Sequence, residues 1–193
     1  MDEYDYTPLM KACIKGNMEI AKFLISHGAD KDRTNNSAYS SLMFAIDYNY
    51  AEIAKFLIDA KASINNKSIF GRTELMKACN NDNYSLVEYL IKHGADINSI
   101  STYGHTALTL ACNKGNFEIL KYLVDNKVNV NVANNMSYTE LLYAYEKGHL
   151  EMIKYLVEHG ANVNIVAKNK ATPLMICKVT KDNKNDIIYY LIE

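Results

Sequence analysis

Four cysteines and five histidines are the side chains in this sequence best suited to metal binding or covalent chemistry. Cys13, Cys79, Cys112 and Cys177 are separated by 66, 33 and 65 residues, a spacing that fits neither a zinc site nor a small disulfide framework. Their expected role is that of small apolar side chains buried in a reducing compartment. His27, His93 and His159 recur 66 residues apart, each just before a glycine; His105 and His149 stand elsewhere. Groups so far apart cannot share one ion, and the three fit as polar groups at helix C-termini, where the dipole favours them. Glu19, Glu52, Glu88, Glu118 and Glu151 recur in register, which marks solvated faces or charges at helix starts. No G-x-S-x-G, H-E-x-x-H or G-x-x-x-x-G-K-[ST] pattern occurs. The expectation is no catalytic site, no metal and no cofactor.

The elements that carry these side chains are repeated. Six segments align without gaps at a step of 33, starting at Thr7-Pro8-Leu9-Met10, Ser40-Ser41-Leu42-Met43, Thr73-Glu74-Leu75-Met76, Thr106-Ala107-Leu108-Thr109, Thr139-Glu140-Leu141-Leu142 and Thr172-Pro173-Leu174-Met175. In the first copy Thr7 can cap a helix, and Pro8 sits where a missing N–H costs nothing. Leu9, Ala12 and Cys13 lie at helical spacing, and Gly16-Asn17 ends the helix. A second helix follows, with Ile20, Phe23 and Leu24 expected on its buried face and Glu19 and Lys22 facing water. It stops at Gly28, where a left-handed residue is expected. Helices of two or three turns are not stable alone, so each copy must stack on its neighbours.

The pattern T-P-L…A…G…L-x-x-G-A-x-x-N resembles the ankyrin repeat. Thr7-Pro8-Leu9, His27-Gly28-Ala29-Asp30, Gly71-Arg72-Thr73, His93-Gly94-Ala95-Asp96-Ile97-Asn98, Gly104-His105-Thr106, His159-Gly160-Ala161-Asn162-Val163-Asn164 and Thr172-Pro173-Leu174 carry it. The resemblance implies an all-α fold, an α-solenoid of stacked helix-turn-helix repeats with β-hairpin-like loops. It implies one domain over 1–193, with repeats near 2–34, 35–67, 68–100, 101–133, 134–166 and 167–193. It further implies that finger-like loop tips and the inner, concave helices bind other proteins.

The copies depart from one another in ways that matter. Lys61 and Lys127 stand where Gly28, Gly94 and Gly160 end their helices, and looser or different helix ends are expected there. The family's histidine after T-P-L is replaced by Met10, Met43, Met76 and Met175, and by Thr109 and Leu142, so greasier packing should replace its hydrogen bonds. The sixth copy carries two extra residues within Thr180 to Asn185.

Aromatics fall in two classes. Phe23, Phe56, Tyr89, Tyr122, Tyr155 and Tyr190 share one outer-helix slot and are expected to be core. Tyr4, Tyr6, Tyr39, Phe70, Tyr103, Met136 and Tyr138 fall where the fingers should be. Two readings stand for this second group: contact area for a partner, or mutual packing that shields the loops. Inner-helix ends supply further candidates, Tyr48, Asn80, Asn81, Asn113, Lys114, Glu146 and Lys147, in slots that also hold Ile14, Lys15 and Asp47. Arg72 and His105, beside the finger glycines, complete the candidate protein-binding surface.

Charge narrows the partner. With 21 basic and 22 acidic residues the net charge is −1, so neither nucleic acid nor an anionic membrane is expected. The start of the chain has no basic and apolar leader pattern, and no run approaches the ~18 apolar residues of a membrane helix. The expectation is a cytoplasmic monomer that binds another protein, with a nuclear location or delivery into a host cell also open. The rival reading is the ankyrin segment of a larger protein, packed on its neighbouring domain through the apolar edge Ile187-Ile188-Tyr189-Tyr190-Leu191-Ile192-Glu193.

Overall fold

The computed structural model describes residues 5–168, together with 170 and 172. Among these residues the regular structure is ten helices in five pairs: α1 (Pro8–Lys15) with α2 (Met18–Ser26), α3 (Ser41–Asp47) with α4 (Ala51–Asp59), α5 (Glu74–Asn80) with α6 (Tyr84–Lys92), α7 (Ala107–Lys114) with α8 (Phe117–Asp125), and α9 (Glu140–Lys147) with α10 (Leu150–Glu158). They form two compact units that divide between Thr102 and Tyr103. In the first, α1, α3 and α5 pack side by side as inner helices, and α4 packs on α6 as outer helices. In the second, α7 packs on α9 and α8 on α10. The fold class is therefore the all-α repeat solenoid.

The hydroxyl at four of the five described repeat starts caps its helix as its position predicts. The side chains of Thr7, Ser40, Thr73 and Thr106 accept from the backbone N–H of Met10, Met43, Met76 and Thr109 at 3.1, 3.2, 3.3 and 3.1 Å. Thr139 makes no such bond. Asn17, Asn83 and Asn116 cap outer helices in the same way. The leucine two residues after each hydroxyl is fully buried in all five described copies. Met43, Met76 and Leu142 beside it are buried too, which agrees with the greasier packing; Met10 is also buried, but its Sδ accepts from the Thr7 N–H at 3.4 Å. Thr109 departs from that expectation: its Oγ1 accepts from the Thr106 N–H at 2.7 Å and so restores a polar return bond.

Three other expectations are corrected. Lys61 and Lys127 do not end their helices differently. They adopt φ of 65° and 64°, the left-handed stop that glycine provides elsewhere. The N–H of the residue after each, Ala62 and Val128, still reaches the carbonyls of Leu57 and Leu123. The aromatic outer-helix slot is not core. Phe23 is 60% exposed, and Phe56, Tyr89, Tyr122 and Tyr155 are only half-buried. The outer helix buries a different face, held by Ile53, Ala54 and Leu57 in α4 and by Leu86, Val87 and Leu90 in α6. In α2 only Ala21 is fully buried, and Ile20 is exposed. Met175, Cys177, Tyr190, the insertion in Thr180 to Asn185 and the edge Ile187 to Glu193 lie outside the described residues.

Candidate protein-binding surface

The loops between repeats fold back on themselves. Asn35 N–H donates to Tyr39 O at 3.0 Å, Ser68 N–H to Arg72 O at 3.0 Å, and Asn134 N–H to Tyr138 O at 2.8 Å. Each tip is then tied to the next by one backbone bond. In the first unit Ile69 N–H donates to Ser37 O at 3.2 Å and Thr102 N–H to Phe70 O at 3.1 Å; in the second, Asn135 N–H donates to Tyr103 O at 3.3 Å and Lys168 N–H to Met136 O at 3.1 Å. Glycine is required for this close approach. A Cβ on Gly71 would lie 2.8 Å from Thr102 N, and one on Gly104 would lie 2.5 Å from the Cα of Asn134. Both residues also have φ near +70 to +80° (69° and 79°).

This ladder sorts the finger candidates. Phe70, Tyr103 and Met136 remain 48%, 55% and 63% exposed on backbone that is bonded on both sides. Tyr6, Tyr39 and Tyr138 do not: they lean back onto the inner helices. Tyr6 and Tyr39 pack against Phe44 with ring centroids 5.3 and 5.2 Å apart, and Tyr138 meets Tyr143 edge-on at 5.5 Å. Tyr39 also receives Lys77, whose Nζ lies 4.1 Å from its ring centroid and donates to its hydroxyl at 2.9 Å. The same ammonium pairs with Asp47 at 2.7 Å. Thus Tyr6, Tyr39 and Tyr138 pack onto the inner helices, while Phe70, Tyr103 and Met136 leave their side chains exposed. Ile69, Ile100 and Val166 are exposed on the same loops and were missed because aliphatic residues there look like ordinary strand formers.

The inner-helix candidates are more scattered. Tyr48 is exposed, as are Asn113, Lys114 and Lys147; Asn80 and Glu146 are half-buried. Asn81 is committed to the scaffold, since its side chain donates to Ile46 O at 2.6 Å. Arg72 is half-buried, and its N–H donates to Ser68 Oγ at 3.3 Å. His105 is half-buried with its ring 6.3 Å from that of Tyr143.

The titratable side chains separate into inert and perturbed groups. Cys13, Cys79 and Cys112 are buried, and burial pushes all three thiols up, Cys13 to about 12. The Nδ1 atoms of His27, His93 and His159 lie 2.8, 2.8 and 2.7 Å from the carbonyl four residues back, which places them at helix C-termini. Each ring stacks on Phe23, Tyr89 or Tyr155. The tyrosines in turn donate to Asp59 and Asp125 of the preceding copies, and that bond pushes the Tyr155 phenol up to about 12. Glu19, Glu52, Glu118 and Glu151 are exposed as expected, whereas Glu74 and Glu140 are completely buried. Among the described residues no group of three or more His, Cys, Asp or Glu could hold a metal ion. No described helix is long and apolar enough to cross a membrane.

The family model described as ankyrin repeats (3 copies) matches residues 1–68, 61–134 and 126–193. No curated protein matches the chain.

Proposed function

The chain belongs to the ankyrin-repeat family, whose members generally bind other proteins, and from that premise we propose that it is a non-catalytic scaffold whose loop tips and concave helix face bind a partner protein. One observation carries this reading: large apolar side chains stand exposed on loops that are already ordered. Phe70, Tyr103 and Met136 each sit on a tip whose carbonyl accepts a bond from the next tip. Ordered loops lose little conformational freedom on binding, so most of the contact energy survives as affinity. Aromatic and methionine side chains are also enriched at interface centres.

Tyr6, Tyr39 and Tyr138 act differently in this reading. They brace the loops against the inner helices and set the tip positions. Tyr48, Asn80, Asn113, Lys114, Glu146 and Lys147 supply the variable polar contacts, with His105 at the loop base. Residues 1–193 act as one binding domain, monomeric and cytoplasmic. The test is recovery of bound proteins by the whole chain and by a Phe70→Ala/Tyr103→Ala/Met136→Ala variant of matched helicity. Selective loss of partners supports the reading. Unchanged recovery removes the tips from it.

A further inference from the structure

Glu74 and Glu140 occupy the first position of α5 and α9, in a slot held elsewhere by Pro8, Ser41, Ala107 and Pro173. Both carboxyls are wholly shielded from solvent. Each meets the helix-capping hydroxyl of the copy before it. Ser40 Oγ donates to Glu74 Oε1 at 3.4 Å, and Thr106 Oγ1 donates to Glu140 Oε1 at 3.0 Å. A hydroxyl has one proton to give and can still accept. The same oxygens therefore accept the capping N–H of Met43 and Thr109 while donating across the repeat junction. Asn66 Nδ2 adds a bond to Glu74 Oε1 at 3.1 Å. Among the described residues, Oε2 of both glutamates has no hydrogen-bond partner.

We propose that Glu74 and Glu140 are matched protonation latches, one in each compact unit, which hold copy three to copy two and copy five to copy four while protonated and loosen those junctions when they ionise.

The charged form is poorly served on both sides. Glu74 faces the Ser40 hydroxyl, the Asn66 amide, its own backbone N–H and the charge of Lys77. The Lys77 ammonium is bound to Asp47 and Tyr39 instead of the carboxyl. Among the described residues Glu140 faces the Thr106 hydroxyl, its own N–H, the Cys112 thiol and the Tyr143 phenol, and no cation among those residues is paired with it. Burial outweighs these favourable contacts and pushes both carboxyls up to about 7. Within the first unit the junction of copies one and two is an internal contrast. Its counterpart residue, Ser41, cannot ionise, and its buried hydroxyl has no partner.

The sign follows from linkage. A folded value above the unfolded one means the native chain holds protons that the unfolded chain has released. The stabilisation is complete below the unfolded value and is lost as pH rises through the folded one. His149 acts in the opposite direction, because burial lowers its pKa and so favours the native state as pH rises.

The experiment is the thermal midpoint of the whole chain between pH 5 and pH 8.5, for the parent, Glu74→Gln, Glu140→Gln and the double variant. The expected result is a midpoint that falls as pH rises through about 7, a smaller fall in each single variant, and loss of that fall in the double variant. A double variant that keeps the full fall overturns the proposal, as does a parent with no fall. Carboxyl-carbon NMR of the glutamate-labelled parent needs no variant to fold. Two glutamates titrating near 7 support the latches, and all glutamates titrating in the ordinary carboxylate range overturn them.

Discussion

The Thr106 hydroxyl accepts from Thr109 N–H at 3.1 Å and donates to Glu140 Oε1 at 3.0 Å, so one side chain both caps α7 and ties it to α9. The repeat thus uses its helix-start signal twice, once within a copy and once between copies.

Removing that hydroxyl should cost more than removing its counterpart in the next copy. Thr106→Val loses a cap and leaves a buried carboxyl without its donor, for about 2–3 kcal/mol. Thr139 makes no capping bond, so Thr139→Val should cost less than about 1 kcal/mol by the same reasoning. Urea midpoints of the two variants check the order.

The latches make stability depend on pH in a definite window. Each unit of pKa is worth about 1.4 kcal/mol, so a carboxyl raised from 4.5 to about 7 contributes about 3–4 kcal/mol below the unfolded value. Urea unfolding should therefore show stability decreasing from pH 5 to pH 8. An increase over that range would contradict the assignment.

Lys61 and Lys127 pay strain for their left-handed backbone. Replacing either with glycine relieves about 1–2 kcal/mol of strain but returns about 0.5–1 kcal/mol of chain entropy to the unfolded state. The net expectation is a gain of about half to one kcal/mol per site. A loss of stability in calorimetry would show that the lysine side chains hold these helix ends.

Asp47 and Lys77 form an asymmetric pair, with the lysine side chain 5% exposed and the aspartate 32%. Asp47→Asn removes the counter-charge paired with a nearly buried ammonium, and should cost about 2 kcal/mol. Lys77→Met removes the buried charge itself and should cost less, since the freed carboxylate reaches water. Equal losses in denaturant titrations would show that the pair acts as an ordinary surface ion pair.

Much of the fold was legible because hydroxyl-x-Leu recurs in all six copies, and a helix start followed by a buried leucine has one structural meaning. The core face of the outer helix was less so. Phe56 and Tyr89 sit next to Leu57 and Leu90 in the chain, and nine-residue helices turn too few times to separate a buried face from its margin. The tips were legible as a class, but which aromatics point outward depends on contacts with Phe44 and Tyr143, in the next copy for Tyr6 and in the helix that follows for Tyr39 and Tyr138. Glu74 and Glu140 lie outside the recurring carboxylate slot of Glu19, Glu52, Glu88, Glu118 and Glu151, so that pattern did not single them out. Their slot-mates Pro8, Ser41, Ala107 and Pro173 are all uncharged, and that contrast was the available signal.

The scaffold reading rests on the exposed, ordered tips, and one measurement reaches it most directly. A photo-crosslinking side chain placed at Phe70, Tyr103 or Met136, and separately at the buried-side Ile53 and at exposed Glu118 on the outer helix, should be compared in cells. The account predicts one shared set of crosslinked proteins from the three tip positions and none of that set from the two controls. No shared set from the three tips, or recovery of the same proteins from Glu118 as from the tips, would contradict it.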